Sequence, residues 1–137
     1  YTSVYGNTEK AVEALAQKLL DKGCSKVTVT CLQRDDWAEA VEDAFRYGKL
    51  VLATTTYNGH VFPAMKEFID HLTERNYQNR QLAFIENGTW APTAGKEMQK
   101  MLESGKELHL GSIVTIRSAM TADTLAQLDA LADELLG

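Results

Sequence analysis

Three short stretches of this chain collect the residue types that hold small polar ligands: SVYGNT at residues 3–8, TTTYNG at 54–59 and NGTWAP at 87–92. The first offers hydroxyls at Ser3, Tyr5 and Thr8, the Asn7 amide and a glycine, Gly6, that lets backbone N–H groups turn inward. It runs straight into a helical pattern, whose unpaired first-turn amides and positive dipole end favour an anion. Such a combination suits a terminal monophosphate held by neutral donors, with Val4 adding a backbone amide and Lys10 one turn further on. An ordinary helix cap made by Asn7 or Thr8 is the plainer alternative. The second stretch sets Thr55, Thr56, Asn58 and Gly59 around Tyr57, and the third sets Asn87, Gly88 and Thr89 beside Trp90. Two aromatics at neighbouring strand ends can clasp a flat ring, although loop aromatics also cover core edges and Asn-Gly pairs also make turns.

Several chemistries are disfavoured by what the sequence lacks. No G-x-x-x-x-G-K-[ST] or G-x-G-x-x-G is present, which argues against a nucleoside triphosphatase and against a pyrophosphate cofactor such as NAD. His60, His71 and His109 are far apart and show no metal-ligand spacing. Cys24 and Cys31 read as reduced thiols, a cytoplasmic usage. A net charge of −5 without a basic, aromatic-interleaved cluster disfavours nucleic acid. No apolar run reaches the roughly 18 residues of a membrane span, and no signal-peptide pattern stands at the start.

The elements that must position the three stretches can be read from periodicity. Helices are predicted over 9–20, 37–47, from Pro63 through Leu72, from Thr93 through Leu102 and over 121–136, each with a one-sided apolar stripe. Gly23 and Gly48 close the first two, and Asp35-Asp36 caps the second. Strands are predicted over Ser25–Leu32, Leu50–Ala53, the RQLAFIEN run and LHLGSIVTIRS, the last interrupted near Gly111-Ser112. Strands alternating with helices imply one α/β domain over residues 1–137, a doubly wound parallel sheet with helices on both faces and ligands beyond the carboxyl ends of its strands. All three stretches fall there. A receiver-type phosphorylation domain shares the topology but needs an aspartate where Ala53-Thr54 stands.

SVYGNTEKA, TTTYNG..FP and ENGTWAPTA resemble the FMN domain of the flavodiiron (A-type flavoprotein) family and, more distantly, flavodoxins with their T-x-T-G-N-T phosphate loop. The similarity runs over almost the whole chain. It implies a flavodoxin-like sheet of strand order 2-1-3-4-5, whose first strand is represented here only by Tyr1 and Thr2, so that a lead-in strand is expected ahead of them. It implies noncovalently bound FMN, with Ser3, Val4, Tyr5, Gly6, Asn7 and Thr8 at the phosphate. Thr55, Thr56, Tyr57, Asn58 and Gly59 would lie on one side of the isoalloxazine, and Asn87, Gly88, Thr89 and Trp90 on the other. The family passes electrons from a donor such as rubredoxin to a diiron domain, whose H-x-E-x-D-H ligands are missing from this sequence. A second departure is His60, where relatives often carry a small residue.

In such a site the Asn58-Gly59-His60 peptides are expected to offer a carbonyl to the reduced flavin, glycine making the rotation cheap. His60 either titrates near the flavin, making a potential pH-dependent, or is a solvent-facing loop residue. The leading reading is a cytoplasmic FMN electron carrier, a redox protein or diiron domain being its partner and a homodimer staying open. The competing readings are an FMN-dependent NAD(P)H or quinone oxidoreductase and a flavin-free docking or regulatory module.

Overall fold

The fold is described from a computed structural model, over residues 1–4, 6–57, 60–88, 92–117 and 119–137, the Tyr57 side chain apart. Its elements in chain order are α1 (Asn7–Asp21), α2 (Trp37–Arg46), β1 (Lys49–Tyr57), β2 (His60–Val61), α3 (Pro63–Glu74), β3 (Arg80–Asn87), α4 (Ala94–Leu102), β4 (Leu108–Ile116) and α5 (Ala122–Leu136). The helices begin where local chemistry starts them. Asp36 accepts from the Ala38 N–H at the head of α2, Pro63 opens α3, and Thr121 forms a capping box with Thr124 at the head of α5.

The sheet runs β2-β1-β3-β4, with β1, β3 and β4 parallel and β2 antiparallel to β1. β3 is therefore central, and from Leu82 to Asn87 every one of its residues is buried, as a strand covered on both faces requires. Strand alternation splits the core into two layers. Leu52, Leu82 and Phe84 pack with Met65, Ile69 and Leu72 of α3 and Met98 and Leu102 of α4. Ala53, Ala83 and Ile85 pack with Leu15 of α1 and Leu128 and Leu131 of α5. The irregularity foreseen in the last strand is present: Leu82 lies opposite Leu110 but Phe84 opposite Ile113, so β4 carries one extra residue at Gly111-Ser112.

The α/β class, the helices on both faces and the adjacency of the three later parallel strands follow the sequence reading. Two boundaries do not. Residues 25–32 form no strand, contrary to expectation. Their chain still passes where the second strand belongs: the Tyr1 nitrogen donates to the Thr30 carbonyl at 2.8 Å, Leu32 N–H donates to the Tyr1 carbonyl at 2.9 Å, and Thr2 N–H donates to the Ala53 carbonyl at 3.0 Å. Tyr1 and Thr2 thus occupy the first-strand position between residues 30–32 and β1. Beside them a cavity of about 410 Å³ lies between residues 26–30 and Lys49–Leu52. A ladder in which Tyr1 alone bonds to residues 30–32 is too short for residues 25–32 to count as a strand, however β-prone VTVT is. The second correction is that TTTY belongs to β1 and is not loop. β1 continues to Tyr57 because β3 pairs with it as far as Thr55 and β2 folds back on it at Thr56 and Tyr57.

Candidate functional site

At the carboxyl edge of the sheet, three segments far apart in sequence meet. Thr8 at the start of α1 is buried and its Oγ1 lies 3.4 Å from the Thr55 hydroxyl of β1. The Asn87 side-chain amide at the end of β3 donates to the same Thr8 oxygen at 3.4 Å. On the opposite face of β1, by strand alternation, the buried hydroxyls of Thr2 and Thr54 pair at 2.6 Å. Each of the three stretches singled out in the sequence thus supplies one member of the Thr8–Thr55–Asn87 cluster, and the second also supplies Thr54, which pairs with Thr2. Thr2 could not be singled out beforehand, since its partner is 52 residues away.

The head of α1 differs from those of α2 and α5. Its N-cap is Gly6, at φ +85°, and no side chain caps it among the described residues. The alternative of an ordinary cap by Asn7 or Thr8 is therefore not what the geometry shows. Instead, the Ser3 hydroxyl accepts from Gly6 N–H at 3.0 Å and the Ser3 N–H donates to the Gln33 side chain at 2.8 Å. These bonds tie Ser3 to Gly6 and to Gln33 beside the head of α1. Gly6 takes the left-handed conformation that a glycine adopts without cost. Val4 is exposed.

The other side of the edge is anchored to α4. The Thr56 hydroxyl, 3.3 Å from both, accepts from the N–H groups of Thr93 and Ala94. That gives Thr56 a structural task the sequence did not disclose. Gly88 donates its N–H to the Ile116 carbonyl, and a Cβ on it would lie 3.3 Å from Pro92 Cβ and 3.4 Å from Thr56 Cβ, so Gly88 sits close against both Pro92 and Thr56 of β1. The β1–β2 hairpin is tied to the same helix by Glu97. One carboxylate oxygen accepts from Val61 N–H at 2.9 Å and the other lies 3.1 Å from His60 Nδ1. His60 is exposed and yet has this specific partner. His71 packs edge-on to Trp37, a structural contact, and His109 is exposed on β4.

A third residue that sequence reasoning missed is Glu86, only 3 % exposed on β3 beside Asn87. Its carboxyl accepts from the Gly95 N–H, and burial holds its pKa above the usual carboxylate range against the lowering effects of that bond, Lys96 and Arg117. Its only sequence signal is a carboxylate closing an otherwise apolar run.

Ser3, Val4, Gly6, Asn7, Thr8, Thr55, Thr56, Asn87 and Gly88 are thus placed at or around this edge. Tyr5, Asn58, Gly59, Thr89, Trp90 and the Tyr57 side chain lie outside the described residues. Among the described residues no group of three or more His, Cys, Asp or Glu could hold a metal ion, and no helix is long and apolar enough to cross a membrane.

The chemistry of the donors fits an FMN. An uncapped helix head beside serine and threonine hydroxyls suits a phosphate, and Thr56, His60 and Val61 of the adjoining strands are fixed to the head of α4. Comparison with known proteins agrees with this geometry at the level of fold. The chain superposes on rubredoxin oxygen:oxidoreductase from Desulfovibrio gigas with a TM-score of 0.90 at 19% identity, over 98% of this chain and 33% of that one. It superposes on a flavodoxin from Streptococcus pneumoniae TIGR4 with a TM-score of 0.81 at 22% identity, over 98% and 93%. A flavodoxin from the domain Archaea gives 0.80 at 18% identity, over 97% and 90%. The chain spans a third of the length of the Desulfovibrio protein. No curated protein matches the sequence. The family model described as Flavodoxin domain matches residues 1–128, and the chain accordingly belongs to the flavodoxin domain family.

Proposed function

We propose that this chain is an FMN-binding electron-transfer domain. The observation that carries the reading is the meeting of Thr8, Thr55 and Asn87 beside the uncapped head of α1. Flavodoxin domains are flavoproteins of electron transport, and an FMN bound here would supply the redox chemistry. The protein residues have separate tasks. Ser3, Asn7, Thr8 and the amides of residues 4–8 would hold the phosphate. Residues 55–59 and 87–90 would flank the isoalloxazine and adjust its potential through backbone contacts. Glu97 fixes Val61 of β2, and Thr56 fixes the entry to α4.

The finer part of the proposal is the electron route. The sequence resemblance to flavodiiron proteins, supported by the similarity of fold to the Desulfovibrio gigas enzyme, favours a small redox protein such as rubredoxin as donor and a diiron domain as acceptor. Stepwise anaerobic reduction of the purified protein, followed by absorption spectroscopy, tests both levels. Oxidised-flavin bands that bleach on adding reduced rubredoxin are expected. A colourless protein would refute the cofactor assignment. Rapid bleaching by NADPH alone, with no response to rubredoxin, would move the reading to an oxidoreductase.

A further inference from the structure

Two side chains outside the three ligand-type stretches reach the head of α1 from a single turn, residues 31–35. The turn is braced from within and from behind. The Asp35 carboxylate accepts from the Cys31 N–H at 2.7 Å, and the Asp35 N–H donates to the Cys31 carbonyl at 2.8 Å. The Trp37 indole donates to the Leu32 carbonyl at 2.6 Å, and Cys31 and Leu32 are buried. The side chains of Gln33 and Arg34 take no part in that bracing and extend instead to residues 1–9.

Each makes a different kind of contact there. Gln33 Oε1 accepts the Ser3 N–H at 2.8 Å, while the Ser3 hydroxyl accepts from Gly6 N–H at 3.0 Å. With its amide engaged and its oxygen accepting, Ser3 keeps one donor for an anion, the hydroxyl proton. Arg34 Nη2 donates to Glu9 Oε1 at 2.6 Å and to the Tyr1 hydroxyl at 2.8 Å, and that hydroxyl donates to the same Glu9 oxygen. Bonds from Tyr1 and then Arg34 hold the Glu9 carboxyl below the usual carboxylate range, so it is charged at neutral pH. Glu9 lies in the first turn of α1. A carboxylate there suits the helix dipole but opposes a second anion at the same helix head unless a cation is paired with it. Among the described residues that cation is Arg34.

We propose that Gln33 and Arg34 are positioning residues that set the preference of the site for a flavin carrying a terminal phosphate over riboflavin. The inference rests on the FMN reading. Gln33 fixes how Ser3 presents its hydroxyl, and Arg34 offsets the Glu9 charge beside the phosphate position. Both act at residues 1–9, whereas the ring is assigned to residues 55–59 and 87–90, so binding of the ring itself is indifferent to them.

The test measures FMN and riboflavin affinities of the full chain by flavin fluorescence titration, in wild type, Gln33→Met and Arg34→Met. Wild type should bind FMN more tightly than riboflavin. Loss of one exposed hydrogen bond or charge pair is expected to weaken FMN about three- to fivefold in each variant, with riboflavin changed less than about twofold. Arg34→Lys, which keeps the charge, should restore most of the FMN affinity, and the deficit of Arg34→Met should shrink in about 1 M salt. Equal weakening of both flavins would reveal a purely structural turn and overturn the assignment, as would unchanged affinities for both. Wild type that binds FMN and riboflavin equally would overturn it while leaving a flavin site intact. Failure of wild type to bind either flavin would overturn the functional reading and this inference together.

Discussion

Gly95→Ala is the sharpest perturbation of the contact between α4 and the sheet. An added Cβ would lie 2.6 Å from Ile113 Cγ2, 2.7 Å from Glu86 Oε1 and 3.1 Å from Ile113 Cδ1. Ile113 packs against the core and Glu86 is buried, so neither neighbour can swing freely into solvent. Overpacking of this kind costs about 1–3 kcal/mol. Displacement that breaks the Gly95 N–H bond to Glu86 adds about 1–2 kcal/mol. Alanine's better helix propensity returns at most about 1 kcal/mol. The net expectation is a loss of about 2 kcal/mol, or roughly 5–8 °C in Tm for a domain of this size. Thermal melts followed by circular dichroism would measure it, with Gly48→Ala as control, because no atom lies within 4 Å of a Cβ built at Gly48. A Gly95→Ala protein that melts at or above the wild-type temperature would refute the argument that Gly95 is required by close packing on Glu86 and Ile113.

Three other outcomes follow from the same geometry. Gly6→Ala adds no clash but forces a side chain to φ +85°; it should cost about 1 kcal/mol in urea denaturation and weaken FMN binding, and unchanged affinity would remove Gly6 from the phosphate loop. Glu97→Ala frees the hairpin from α4; loss of the backbone bond to Val61 should weaken FMN about five- to tenfold by fluorescence titration, whereas His60→Asn, which removes only an exposed pair, should change affinity less than twofold. For Glu86 the folded-state pKa is raised, so its contribution to stability is complete below the unfolded value of about 4.3 and is lost as pH rises through the folded one. Wild type should therefore lose stability relative to Glu86→Gln as the pH rises above about 4.3, and parallel stability curves would contradict the assignment.

What the sequence revealed and what it concealed divide along a physical line. RQLAFIEN is β3 residue for residue, and Gly111-Ser112 marks the bulge, because burial on both faces and a break in alternation are local signals. The helices are one-sided stripes with recognisable caps. Residues 25–32 look like a strand by composition, but ladder partners make a strand, and only Tyr1 pairs with them. The polar edge was visible as three loops of suitable chemistry, whereas the contact of Thr8 with Thr55 and Asn87 had to come from topology. Glu86 and Glu97 were passed over for the same reason: Glu97 meets His60 and Val61 across more than 30 residues, and only the folded sheet shows that Glu86 faces Gly95. Side chains whose partners are remote carry no periodic signature.

The central claim is that the head of α1 and the two neighbouring strand ends form one flavin mononucleotide site. Titration of free FMN with the apoprotein, followed by flavin fluorescence, tests it most directly. Quenching that saturates at one FMN per chain, and that weakens when inorganic phosphate competes, is the predicted result. Fluorescence that stays unchanged at every protein concentration would contradict the account.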